Sequence, residues 1–137
     1  MIENRYFDMM VNMKTQIIQI ALLIMLTGCG AEAEARHTII TPQAAQEMMM
    51  QYGDIIILDV RSPEEFQSGH IPGAILIPHD RIRSEIVYLI PDFDQIVLVY
   101  CRTGNRSNIA ALTLVELGYR AVYDFGGIVD WQGEVSR

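Results

Sequence analysis

Apolar and polar positions change period several times along the chain, and the changes mark alternating strands and helices. His37 to Ile40 reads as a short strand. Thr41-Pro42 follows as an N-cap with proline at the first helical position, and helical spacing runs through Met50 until Gly53 stops it. Met48-Met49-Met50 cannot all face one way, so part of that run fills the core. Ile55 to Leu58 is a continuous apolar run of buried-strand type and leads into Asp59-Val60-Arg61. Ser62 and Glu65 then stand at capping-box spacing, with Pro63 in the first turn of a short helix closed by Gly69. Ile71 to Pro78 carries Pro72, Gly73 and Pro78, which predicts an edge-like strand or an extended loop.

A third helical pattern covers Arg81 to Ile90 and stops at Pro91. Ile96-Val97-Leu98-Val99-Tyr100 is the most strongly apolar strand and belongs at a sheet centre, and it runs directly into Cys101. Ser107 to Leu117 has apolar residues at 109, 110, 112, 114, 115 and 117, with Gly118 where a C-terminal cap glycine belongs. Ala121 to Tyr123 is a last short strand. Such alternation predicts an α/β fold around a parallel sheet.

The N-terminal region follows a different pattern. Met13 and Lys14 make a short basic start, and an apolar run from Ile17 to Leu26 follows. It is too short to span a bilayer and fits the apolar region of a secretory signal; the alternative is a core helix. Leu26-Thr27-Gly28-Cys29 resembles the lipobox of bacterial lipoproteins, which implies cleavage before Cys29 and lipidation of that residue; the alternative is a chance cysteine. Glu3 and Asp8 depart from the basic start of a signal, and translation from Met13 removes the conflict. The expected organisation is therefore residues 1–28 as signal segment, 29–36 as lipidated Cys29 and tether, and 37–137 as the folded domain. This predicts an exported, membrane-anchored lipoprotein of a bacterial cell envelope, held by lipid alone, since an acidic domain is not drawn to anionic headgroups.

Composition narrows the chemistry. The chain has 137 residues, 50% of them hydrophobic, enough for one core without staples. Its net charge of -7 and the lack of a Lys/Arg run exclude a nucleic-acid partner. Lys14 is the single lysine, so positive charge that does chemistry elsewhere comes from arginine. Two cysteines, Cys29 and Cys101, exclude a disulfide framework and a four-thiolate zinc site, and the absence of Cys and His clustering opposes any metal. No cofactor is expected.

Cys101-Arg102-Thr103-Gly104-Asn105-Arg106-Ser107 lies between the central strand and the following helix, where ligands bind in open α/β sheets. Such a loop turns successive backbone N–H groups inward as an anion nest, and the helix start adds a positive dipole end. Gly104 permits the turn, and Arg102 and Arg106 add charge. A thiol there is expected to have its pKa lowered from about 8.5 into the ~3.5–7.5 range, which makes it a nucleophile for an anionic substrate. The alternative is a buried structural cysteine.

CRTGNRS resembles the active-site loop of single-domain rhodaneses. LDVRSPEEFQSGHIPGAILIP resembles their upstream signature, and FGGIVDW their closing motif. The likeness covers His37 to Trp131. The resemblance implies a five-stranded parallel sheet flanked by helices and a thiosulfate sulfurtransferase. In it, Cys101 takes a sulfane sulfur from thiosulfate or a similar donor as a persulfide and passes it to cyanide or a thiol acceptor, which could be a protein. It also implies that Arg102, Thr103, Gly104, Asn105, Arg106 and Ser107 contribute loop amides to hold the sulfur. Asp59 is expected to orient the loop, by pairing with Arg106, or else to cap the Ser62 helix; Arg61 lines the site mouth or is structural. Arg102 either sets the outer field or is a solvated loop arginine. His70 and His79 read as hydrogen-bonded turn residues rather than general bases, Trp131 as a core or lid aromatic, and Gly126-Gly127 as the turn that returns the closing segment. The longer Gly-Pro tail of many rhodaneses is missing after Trp131, which bears on the packing of the last helix.

Two rival functions use the same loop. A Cys-dependent phosphatase also places Cys and Arg at the ends of an anion loop, but with five intervening residues, where four separate Cys101 from Arg106 here. A non-enzymatic sulfur carrier or persulfide-sensing module would use identical residues. In an oxidising compartment an exposed, low-pKa Cys101 would also call for a reducing or persulfide-protecting partner.

Overall fold

The computed structural model describes residues 36–137; the expected signal segment, Cys29 and nearly all of the tether lie outside the described residues. Among the described residues five strands and four helices alternate: β1 Arg36–Ile39, α1 Pro42–Gln51, β2 Ile55–Asp59, α2 Pro63–Ser68, β3 Ile75–Leu76, α3 Ile82–Leu89, β4 Ile96–Cys101, α4 Asn105–Glu116 and β5 Ala121–Gly127. One 3-10 turn, Ile128–Asp130, follows. All strand pairs are parallel, in the order β1-β5-β4-β2-β3. The expected α/β fold is therefore present, and β4 sits at the sheet centre.

Local chemistry explains the helix starts. Thr41 accepts the Ala44 N–H through its side chain, with Pro42 in the first turn. Ser62 and Glu65 form the reciprocal capping box their spacing predicts. α4 starts two residues earlier than the sequence pattern placed it, because Gly104 supplies the N-cap through its backbone at φ +100 without a side-chain cap. Asn105 and Arg106 thus belong to the first helical turn.

Successive residues of β4 face opposite layers. Val97, Val99 and Cys101 pack with Ile82 and Ile86 of α3 and with Ala110, Ala111 and Leu114 of α4. Leu98 and Tyr100 pack on the other face with Ala45 of α1, Phe125 and the half-buried Met48, Met49 and Trp131. Met50, by contrast, is exposed. The sheet is covered on both faces, which is why its central strand is an unbroken apolar run.

β3 is short and at the edge, as Pro72, Gly73 and Pro78 require. β5 extends past the expected Tyr123 to Gly127, so Gly126-Gly127 makes a local turn within the end of a strand and not a separate loop after it. After Trp131 no helix packs on the sheet; the tail instead joins Ser136 to His70 in an antiparallel bridge.

Candidate active site

Parallel strands put their carboxyl ends together, so Asp59 at the end of β2 and Cys101 at the end of β4 emerge on the same edge of the sheet. Only Arg102, Thr103 and Gly104 separate Cys101 from α4. The turn is tight enough for the Gly104 N–H to donate to Cys101 Sγ at 3.1 Å. Cys101 is 1% exposed. Burial raises the thiol pKa, but it is outweighed by the Ser107 and Thr103 amides, the Ser107 hydroxyl and the Gly104 amide, and the net shift is downward. The thiolate is thus favoured by converging N–H groups and a helix start, without a histidine.

The sequence-derived loop residues divide by environment. Ser107 is buried in the first turn of α4, and its hydroxyl donates to Gly104 O at 2.9 Å and approaches Gly126 O at 3.3 Å. Arg102, Thr103 and Asn105 are exposed around the mouth. Arg106 is half-buried and donates Nη1 to Glu65 Oε2 at 2.7 Å and Nη2 to Glu65 Oε1 at 2.9 Å. This bidentate pair holds the Glu65 carboxyl down to about 2. One glutamate therefore closes the α2 capping box and fixes the arginine of the Cys101 loop.

That arrangement corrects the expected Asp59–Arg106 pair. Asp59 is fully buried, and both its oxygens accept from Arg61: Nη2 reaches Oδ2 at 2.6 Å, and Nε lies 3.0 Å from each oxygen. The Arg61 N–H also donates to Asp59 Oδ1, so the carboxylate closes a local turn and does not cap α2, which Ser62 does. Arg61 in turn donates to Gly69 O at 2.7 Å and lies 5.6 Å above the Tyr100 ring. Its side chain is 5% exposed and engaged by Asp59 and Gly69, as a structural role requires. It still borders a cleft of about 370 Å³ together with Ser62, His79, Arg81 and Arg106.

His70 stacks on Phe66 at 3.7 Å and bonds Phe66 O through Nδ1, in keeping with a turn role. Trp131 packs 5.7 Å from Phe125 and donates Nε1–H to Glu134 O. Two supports have no signal in the local sequence. Glu65 reaches Arg106 across 41 positions of sequence, which no local pattern signals. Gly127 lies so close to the loop that a Cβ there would fall 2.4 Å from Arg102 O and 2.8 Å from Thr103 Cα. The absence of a side chain at 127 lets β5 press the loop into place.

Comparison with known proteins agrees with this geometry. The rhodanese-like domain family matches residues 41–134. The thiosulfate sulfurtransferase PspE of Escherichia coli is 41% identical over 73 residues, covering 53% of this chain and 70% of PspE. The thiosulfate sulfurtransferase GlpE of Pseudoalteromonas translucida is 36% identical over 85 residues, covering 61% of this chain and 79% of GlpE. A solved E. coli rhodanese with anions superposes with a TM-score of 0.57 at 36% identity, covering 60% of this chain and 96% of that one. With its parallel sheet, its short loop after the central strand and these sulfurtransferase relatives, the chain belongs to the rhodanese-like domain family.

Proposed function

We propose that the protein is a thiosulfate sulfurtransferase that works through a Cys101 persulfide. The observation that carries this reading is the sulfur at the end of β4, accepting an N–H from its own loop and shifted toward the thiolate. The thiolate attacks the outer sulfur of thiosulfate, a new S–S bond forms, and the original S–S bond breaks with its electron pair leaving on sulfite. Cyanide or a thiol acceptor then removes the terminal sulfur and returns the thiolate. Both reactants and the departing sulfite are anions, which the inward amides, the α4 N-terminus and Arg106 stabilise together. Arg102 supplies further positive charge at the mouth. The names of the relatives support thiosulfate as donor.

Intact mass of the full chain carrying Cys29→Ser, so that Cys101 is the one remaining thiol, tests this directly. Thiosulfate followed by desalting should add one sulfur atom, and cyanide should remove it. A folded, reduced protein that gains nothing sinks the reading of thiosulfate as donor. Loading with slow discharge to every small acceptor would favour the sulfur-carrier alternative. The phosphatase reading is disfavoured because the near-complete burial of Cys101 suits a donor that offers one slim terminal atom, and because four residues rather than five separate Cys101 from Arg106.

We further propose, from Leu26-Thr27-Gly28-Cys29, that the chain is exported and held at a bacterial membrane by lipid on Cys29. Labelled palmitate should enter the wild-type chain and not Cys29→Ser; equal incorporation, or none in either, removes the proposal.

A further inference from the structure

β5 lies against the loop that carries the amides around Cys101, and its pairing with β4 is irregular there. Val99 pairs with Asp124, but Cys101 pairs with Gly127, so Phe125 and Gly126 together stand opposite Tyr100. This is a bulge, with one extra residue on β5. Gly126 adopts φ +84, and a Cβ at that position would meet nothing within 4 Å. Glycine is needed there for its backbone conformation and not for space.

The turn is closed by Asp124, whose side chain is 5% exposed and whose Oδ1 accepts the Gly126 N–H at 2.9 Å. From this turn three contacts reach the sulfur's surroundings. Gly126 O lies 3.3 Å from the Ser107 hydroxyl, Gly126 Cα lies 3.5 Å from where a Cβ on Gly104 would sit, and Gly127 abuts the Arg102 and Thr103 backbone. Ser107, Gly104 and Thr103 are the residues whose donors favour the thiolate.

We infer that Asp124 is a positioning residue for sulfur transfer: its carboxylate sets the Gly126 turn, and the turn seats Ser107 and the 102–104 loop around Cys101 Sγ. The inference rests on Cys101 as the nucleophile. Its sign separates it from a simple field effect. Removing a nearby negative charge by itself favours the thiolate and lowers the thiol pKa. Loss of positioning withdraws N–H donors and raises it. The titratable group beside Asp124 is His37 of β1, whose Nε2 is 3.9 Å from Asp124 Oδ2; on the Cys101 side stand Arg106 of α4, bound by Glu65 of α2, and Asp59 of β2.

The test is the pH profile of Cys101 alkylation by iodoacetamide, in the full chain carrying Cys29→Ser, with thiosulfate loading followed alongside. Asp124→Ala should move the alkylation midpoint up by about one pH unit, leaving roughly tenfold less thiolate below it and slowing sulfur loading to match. Asp124→Asn keeps the Oδ1 acceptor and should restore both to within about twofold. A midpoint that stays or falls in folded Asp124→Ala overturns the inference. Should that variant not fold, Gly126→Ala strains the same turn with its methyl in open space; it should show the same rise, and an unchanged midpoint overturns the inference equally. A parent protein that alkylates normally but never loads sulfur refutes the proposed function, while the midpoints still decide the role of Asp124.

Discussion

Cys101→Ser should fold normally and lose sulfur transfer by about a thousandfold or more, a loss on the scale of removing the nucleophile from a covalent enzyme. Serine offers the loop an oxygen that can still accept the Gly104 N–H, which reaches Sγ at 3.1 Å in the native protein. The change in stability should therefore stay within ~1 kcal/mol. Reactivity is another matter. A hydroxyl needs a general base, and the loop supplies none: it stabilises an anion that a thiol forms readily and an alcohol does not. His70 is engaged with Phe66 O through Nδ1 and stacked on the Phe66 ring. Thiocyanate production from thiosulfate and cyanide, measured beside a denaturation curve, checks both halves of the expectation. Residual turnover above about one part in a hundred would show that sulfur transfer does not depend on a bond to Cys101.

The parts of this site that can be read in sequence are those set by neighbours in the chain. Ser62 and Glu65 are three residues apart, and their reciprocal hydrogen bonds follow from that spacing alone. The apolar run Ile96 to Tyr100 places β4 in the centre and Cys101 at its end for the same reason. What escapes is decided by tertiary contact. Nothing local says that Glu65, once capping α2, spends its remaining charge on Arg106 of the Cys101 loop. Nor does the pair Gly126-Gly127 reveal whether it makes a turn or a bulge, since both need the same backbone freedom. The slip of β5 against β4 and the closeness of Gly127 to Arg102 O decide it. The start of α4 escapes for a related reason: Gly104 caps it with backbone conformation and leaves no side-chain signature.

Asp59 is the residue for which the sequence pattern and the structure diverge most, and that divergence sets the second large effect. The family resemblance pairs it with Arg106 and its spacing offers it as a cap for α2, and the structure shows neither. Instead it sits at the end of β2 as counter-ion to Arg61, with the carboxylate fully buried and the guanidinium 5% exposed. Asp59→Ala therefore leaves a buried cation with only Gly69 O as an acceptor, and should cost about 3–5 kcal/mol, lowering Tm by more than ~10 °C in a domain of this size. Asp59→Asn retains an acceptor for the Arg61 N–H and should cost less. The informative comparison is the double replacement Asp59→Leu with Arg61→Met, which removes both charges and keeps apolar volume against Tyr100. Thermal denaturation should find it more stable than Asp59→Ala, because the penalty comes from the unpaired ion and not from loss of the pair itself. Equal or lower stability in the double variant would mean that the pair contributes net stability of its own. If the double variant also keeps thiosulfate turnover near the wild-type rate, Asp59 and Arg61 act on Cys101 only by holding β2 and the α2 cap in place. A specific loss of turnover in a stable double variant would return Arg61, on the wall of the cleft beside Arg106, to the binding of substrate.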